Sequence, residues 1–189
     1  MDALWRLTGT VPAKIDAAVA RAPVARNAVV WQAQPIWSND KVGGALPAVG
    51  ETRVFRFRFP LASMPAAARC VVTCDNSYEL FVNGRTASKG DDWQTPEALD
   101  LTSHLRAGDN EFIVVGRNAG KAPNAAALWL QVTLVDAKGK ESTLATGAGW
   151  EWTLPGPSAR GLPAAGAVWK PVALLPETPW AKEIGRAHV

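Results

Sequence analysis

The chain has 189 residues, 48% of them hydrophobic and 20% charged, with 20 Lys plus Arg against 17 Asp plus Glu for a formal net charge of +3. That composition excludes a mostly disordered chain and suffices for one packed domain with short extensions. No run approaches the roughly 20 apolar residues of a membrane-spanning helix, and the basic residues are scattered singly rather than gathered into the face that a phosphate backbone demands, so neither a membrane nor nucleic acid is expected as a partner.

Residues 1–26 read as an N-terminal extension or linker, with an Ala-rich stretch over 15–22 that predicts two turns of helix before Pro23. Arg6, Lys14, Asp16, Arg21 and Arg26 interrupt it, so it lacks the apolar core of a signal peptide. The chain is then either cytoplasmic or a piece whose targeting signal is absent. From residue 27 the pattern changes to period two. Strands are predicted at 29–37, 52–59, 69–74, 77–82, 97–102, 110–117, 127–136, 141–145, 149–153 and 167–173. The clearest is 52–59, where Phe55, Phe57 and Phe59 alternate with Arg56 and Arg58. Asn83-Gly84 after Tyr-Glu-Leu-Phe-Val predicts a hairpin, because a type I′ turn needs positive φ at both central residues. Asp136-Ala-Lys-Gly139 predicts a second one. In 127–136, Leu128, Leu130, Val132 and Leu134 take one face and leave Trp129, Gln131 and Thr133 on the other. Residues 154–167, rich in Gly, Pro, Ala and Ser, read as a loop before the last strand. About ten strands with no long helix between them predict an all-β fold, an antiparallel β-sandwich of two packed sheets over residues 27–181, followed by a tail at 182–189.

Cys70 and Cys74 share one predicted strand and one face with Val72. Four residues of strand separate their Cα atoms by about 13 Å, beyond disulfide reach, so they read as small core hydrophobes. His104 and His188 have no zinc-ligand spacing to each other or to the cysteines. The Gly-rich phosphate loop, the dinucleotide fingerprint, the zincin helix and the nucleophile elbow are all absent from the sequence. A histidine-dependent catalyst would rest on His104 alone, in what reads as a surface connection. Among Asp75, Asp91, Asp92, Asp100 and Glu111 no spacing selects a carboxylate pair for glycoside hydrolysis.

Three segments rise above a generic β domain. They are Thr73-Cys-Asp-Asn-Ser-Tyr-Glu-Leu-Phe-Val-Asn-Gly84, then Gly90-Asp-Asp-Trp-Gln-Thr-Pro-Glu-Ala-Leu-Asp-Leu-Thr-Ser-His-Leu-Arg-Ala-Gly-Asp-Asn110, then Phe112-Ile-Val-Val-Gly-Arg-Asn118. In this order they resemble the galactose-binding-like jelly-roll domains attached to bacterial glycoside hydrolases, in particular the non-catalytic domain of α-L-rhamnosidases. Trp31, Trp37, the Phe-Arg-Phe-Arg-Phe strand and the closing Trp169 through Trp180 also resemble that family, over roughly residues 28–180. The resemblance implies a lectin-like, non-catalytic carbohydrate-binding module, carried beside neighbouring domains in a larger secreted, periplasmic or cell-surface protein. It also implies a Ca²⁺ ion at the rim of the sandwich with a sugar beside it. Asp75, Asn76, Asn118 and the backbone carbonyl of Pro123 match the implied metal ligands, and such oxygen donors suit calcium. The Ala-rich 125–127 segment departs from the pattern, since polar groups would be expected there.

Read as residues alone, Asp75 and Asn76 also suit a turn between two strands, where such side chains bond their own backbone. Nine Trp against one Tyr is unusual, and a Trp face offers a platform for the apolar side of a pyranose. Trp31, Trp37, Trp150, Trp152 and Trp169 fall at strand positions and read as structural. Trp93 either plugs one end of the sandwich or walls a ligand pocket, and Trp129 poses the same choice. Arg117 is either a strand-edge charge or a planar fork for sugar hydroxyls or a uronate. The expected function is sugar binding through Asp75, Asn76, Trp93, Arg117, Asn118 and Trp129. The alternative is a structural or protein-interaction sandwich without ligand.

Overall fold

The computed structural model describes residues 32–40 and 44–176. The expected N-terminal helix, Trp31, Trp180, the 182–189 tail and both expected domain boundaries lie outside the described residues. The elements in chain order are β1 (Ile36–Trp37), β2 (Thr52–Leu61), β3 (Ala67–Cys74), β4 (Ser77–Val82), β5 (Arg85–Gly90), β6 (Glu97–Asp100), a turn of 3-10 helix (Thr102–His104), β7 (Gly108–Arg117), β8 (Leu128–Val135), β9 (Glu141–Ala145), β10 (Glu151–Thr153), β11 (Lys170–Pro171) and β12 (Ala173–Leu174). Among the described residues no helix is long and apolar enough to cross a membrane.

The strands form two antiparallel sheets packed as a sandwich. One runs β12-β1-β8-β3-β6, with β9 also pairing β8; the other runs β11-β10-β2-β7-β4-β5. The backbone of the second sheet is β2 against β7, in unbroken register from Thr52↔Arg117 to Leu61↔Gly108. Period-two alternation turns Phe55 and Phe59 inward to meet Leu128, Leu130, Val132 and Leu134 of β8 in one core, with Phe57 packed against it. Trp37, Trp150 and Trp152 are buried in that core. Cys70, Val72 and Cys74 line it from β3; the cysteines are free thiols, and burial pushes both thiol pKa values up.

Asn83 and Gly84 both take positive φ, +51° and +77°, as the type I′ reading of the β4–β5 hairpin requires. Asp136 caps the second hairpin by accepting the Lys138 and Lys140 amides. Two expected strands are shorter than their composition suggests. Of 29–37 only Ile36–Trp37 is strand among the described residues, and Pro35, which has no N–H, immediately precedes it. The stretch 167–173 is no single strand. It yields β11 in one sheet and β12 in the other, because the chain crosses between sheets at Val172.

The loop 154–167 has a packing role that its composition hides. It lies against the outer face of the second sheet, where Leu162 and Trp169 cover a small apolar cluster of Val54, Phe81, Ile113 and Val115. Arg160 lies over the Phe81 ring, 4.4 Å from its centroid, and pairs with Glu79 of β4. At the neck of this strap the Gly156 amide donates to the Leu162 carbonyl at 3.0 Å. A Cβ at Gly156 would lie 2.5 Å from that carbonyl oxygen and 2.7 Å from the Ala164 nitrogen, both backbone atoms that cannot swing aside. Gly156→Ala is therefore expected to destabilise the fold by about 1–3 kcal/mol, read in urea melts, and to speed proteolysis within 154–167.

Candidate functional site

Strand register brings the singled-out loops to one end of the sandwich. β3 ends at Cys74 and β4 begins at Ser77, so Asp75 and Asn76 form the link between the two sheets; the peptide joining them is cis. β7 ends opposite both Thr52 and Ser77, which places Arg117 and Asn118 beside that link. The β5–β6 connection closes over the same end, because Gly90 pairs with Tyr78 and Glu97 with Val72. Trp93 sits in it, partly buried, and its carbonyl accepts the Thr73 hydroxyl at 2.9 Å.

Backbone bonds tie these loops into a rim. The Asp75 amide donates to the Ala127 carbonyl at 3.0 Å and the Asn76 amide to the Arg117 carbonyl at 2.7 Å. The Asn76 side-chain oxygen accepts the Ala119 amide. Asn118 is fully buried, and its amide donates to the Glu51 carbonyl while its carbonyl accepts from Gly50, both at 2.8 Å. Its side-chain NH₂ donates to the Pro47 and Ala48 carbonyls, at 3.2 and 3.1 Å. Those two acceptors fix which way the amide points, and the Asn118 Oδ1 faces away from them.

That oxygen is buried without a hydrogen-bond partner, and so is Oδ1 of Asp75. Buried acceptors are ordinarily satisfied, so two orphans on adjoining loops ask for a ligand or water. Burial also pushes the Asp75 carboxyl above its ordinary pKa, because desolvation disfavours the charged form. Among the described residues no three His, Cys, Asp or Glu side chains are grouped to hold a metal ion. A cation at this rim would rest on one carboxylate with amide and backbone oxygens, a hard donor set of the kind calcium accepts.

Beneath the rim lies a buried polar cluster that sequence reasoning missed. Glu51 accepts the Trp37 indole N–H at 3.1 Å with one oxygen and the Ala48 amide at 3.2 Å with the other. Arg53 pairs with Glu51 at 3.1 Å and Asp40 at 2.8 Å. Its only signal in the sequence is an arginine at the inward parity of Phe55, Phe57 and Phe59. Asn124 was also missed; its Oδ1 is a third buried, unpartnered oxygen at this end, and the second in the 118–127 loop.

Two expected contacts differ in placement. Trp129 does point to the outer face of its sheet, yet it is only 4% exposed, packed with Ala127, Ala33 and Leu175. The residues before β1 and after β12 fold over that face, so Trp129 packs the sandwich and presents no open ring to a sugar. Arg117 is exposed and follows Gly116, where a Cβ would lie 3.1–3.3 Å from Cys74, Phe55 and Trp37 inside the sandwich, so Arg117 takes the outward face of its strand. His104 lies at the opposite end, where its carbonyl accepts from Asn83. Asp100 caps Thr102 and Glu111 pairs with Arg58 at that end too.

No family model matches the chain. Over 112 residues, 56% of this chain, it is 27% identical to a curated α-L-rhamnosidase of Streptomyces avermitilis, of which it spans 11%. It is 32% identical over 97 residues, 45% of this chain, to a β-galactosidase of Psychromonas ingrahamii, of which it spans 9%. The chain thus spans only a small part of the curated relatives it matches. The crystal structure of the Streptomyces avermitilis α-L-rhamnosidase complexed with L-rhamnose superposes at a TM-score of 0.63 and 25% identity, over 75% of this chain and 14% of that one. The apo lectin of Pleurotus ostreatus superposes at a TM-score of 0.63 and 25% identity, over 78% of this chain and 43% of the lectin. The fold is the galactose-binding-like β-sandwich shared by these proteins.

Proposed function

We propose that the chain is a non-catalytic carbohydrate-binding module of a larger secreted, periplasmic or cell-surface protein, and that it binds a sugar at the loop rim beside a Ca²⁺ ion. The observation that carries this reading is the pair of buried side-chain oxygens, on Asp75 and Asn118, that have no hydrogen donor at the end of the sandwich where the loops converge. The likeness to a lectin and to part of an α-L-rhamnosidase supports it.

Asp75, Asn76, Asn118 and the Pro123 carbonyl would hold the ion. When bound, calcium would supply the positive charge that offsets the desolvation of Asp75, with further positions open to sugar hydroxyls. Arg117, exposed on the outward face of β7, would offer hydrogen-bond donors at the rim, and the Trp93 loop would wall it. Binding of this kind raises the local concentration of an attached catalytic domain on its polysaccharide.

The test is Asp75→Asn, which keeps the shape and removes the charge. Because the folded pKa of Asp75 is raised, ionised Asp75 carries a penalty in the calcium-free fold above that pKa, and the penalty disappears as pH falls to the ordinary aspartate value of about 3.9. Calcium-free Asp75→Asn is therefore expected to melt above the parent at pH 7 and level with it near pH 3.5. With Ca²⁺ the order reverses: the parent gains about 2.7 kcal/mol at an ion concentration of 100 Kd, and the variant gains little. Titration of the loaded protein with L-rhamnose and galactose then tests the sugar. If neither the ion nor any sugar at millimolar concentration moves the melting curve, the ligand-free interaction module takes its place.

A further inference from the structure

We propose that Asn124 is a further cation ligand of this rim, its side-chain oxygen facing the ion together with those of Asp75 and Asn118. The proposal rests on the calcium reading above. Three side-chain oxygens at this end of the sandwich are buried without a hydrogen donor, and Asn124 carries the third.

The orientation of that amide follows from its surroundings. The Asn124 NH₂ donates to the Ala119 carbonyl at 3.1 Å, and the Asn124 backbone amide donates to the Pro47 carbonyl at 3.3 Å. Rotating the amide by half a turn would set its oxygen against the Ala119 carbonyl oxygen, two acceptors with no proton between them. The oxygen is thus held on the other side. Asn118 is fixed in the same fashion, by the Pro47 and Ala48 carbonyls. Both side-chain amides therefore spend their donors on the loop backbone and keep their oxygens for something else, while the Pro47 carbonyl accepts from the Asn118 side chain and the Asn124 backbone alike.

The loop is also shaped to admit this side chain. Gly120 has φ +127°, a conformation side-chain-bearing residues rarely adopt, and a Cβ there would lie 3.0 Å from the Asn124 Nδ2. By contrast, the Asn76 side-chain oxygen already accepts the Ala119 amide. Among the rim asparagines, Asn118 and Asn124 are the two whose oxygens have no donor.

The experiment is calorimetric titration of Ca²⁺ alone into the full chain, stripped of metal, as the parent, Asn124→Leu and Asn124→Asp, with melting curves in chelator to verify folding. Asn124→Leu is expected to bind Ca²⁺ at least tenfold more weakly than the parent. Asn124→Asp sets a second oxygen against the Ala119 carbonyl, a cost the melting curves in chelator read, but it keeps an oxygen, now charged, on the side of the ion, so it is expected to bind within about threefold of the parent or more tightly. If the part of Asn124 were only to clamp the loop through its NH₂, the aspartate would fail as the leucine does. That result overturns the proposal, as does Asn124→Leu binding within twofold of the parent. A parent that takes up no Ca²⁺ overturns the underlying calcium reading as well, which separates the two failures.

Discussion

Arg53→Met is expected to lower the stability of the domain by about 3–5 kcal/mol, read as a fall in the urea midpoint. Arg53 is only 7% exposed and lies inside the sandwich just beneath the rim, 5.3 Å from the Trp152 ring centroid. Its guanidinium meets Glu51 and Asp40 at 3.1 and 2.8 Å. Methionine fills much of the same volume and removes the charge, so buried Glu51 and its neighbour Asp40 lose the guanidinium that pairs with both. From the same cause, Glu51→Gln added to Arg53→Met should recover a large part of the loss. A loss below about 1 kcal/mol would mean that the cluster tolerates removal of the guanidinium. The rim should feel the change as well, because Glu51 holds the Ala48 amide, and the Ala48 carbonyl in turn anchors Asn118.

Trp150→Ala is expected to cost as much, about 3–5 kcal/mol, by a different route. Trp150 is 1% exposed, stacks on Phe57 at a centroid distance of 5.3 Å and an interplanar angle of 9°, and donates its indole N–H to the Ala145 carbonyl at 2.9 Å. Alanine leaves a cavity between two sheets whose backbones are held apart by their other side chains, and it strands that carbonyl. Against the 5–15 kcal/mol typical of a whole domain, such a loss leaves little reserve. Phe57 and Phe112, the neighbours of Trp150, lie well along β2 and β7 from the rim. On the calcium reading proposed above, Ca²⁺ affinity should therefore hold near the parent value in the fraction that stays folded, whereas Arg53→Met should weaken it.

How far the molecule can be read from its chain depends on the range of each interaction. Phe-Arg-Phe-Arg-Phe, the Asn83-Gly84 turn and the run from Leu128 to Leu134 declare their structure locally, since a pleated strand alternates its faces and a tight turn demands positive φ. The Asp75-Asn76 link and Asn118 were legible through a resemblance carried by the strands that flank them. Asn124 was not, because its neighbours suggest only a polar loop, and its orientation depends on carbonyls of Ala119 and Pro47. The cover over Trp129 was not legible for the same reason. Parity puts the residue on the outer face of β8, but only the packing of Ala33 and Leu175 decides that this face is covered.

The sequence by itself therefore determined the sandwich, its hairpins and the inward faces of its strands, all of which follow from short-range alternation and turn chemistry. The tertiary structure alone decided that the 154–167 segment is a strap, that Arg53 and Glu51 are buried together, and that the oxygens of Asp75, Asn118 and Asn124 are left over. Those facts arise from contacts between segments 70 or more residues apart, such as Asn118 with Ala48 and Arg160 with Glu79. A side chain's spare hydrogen-bonding capacity is what remains after its neighbours in space have taken theirs, and those neighbours exist only once the chain has folded.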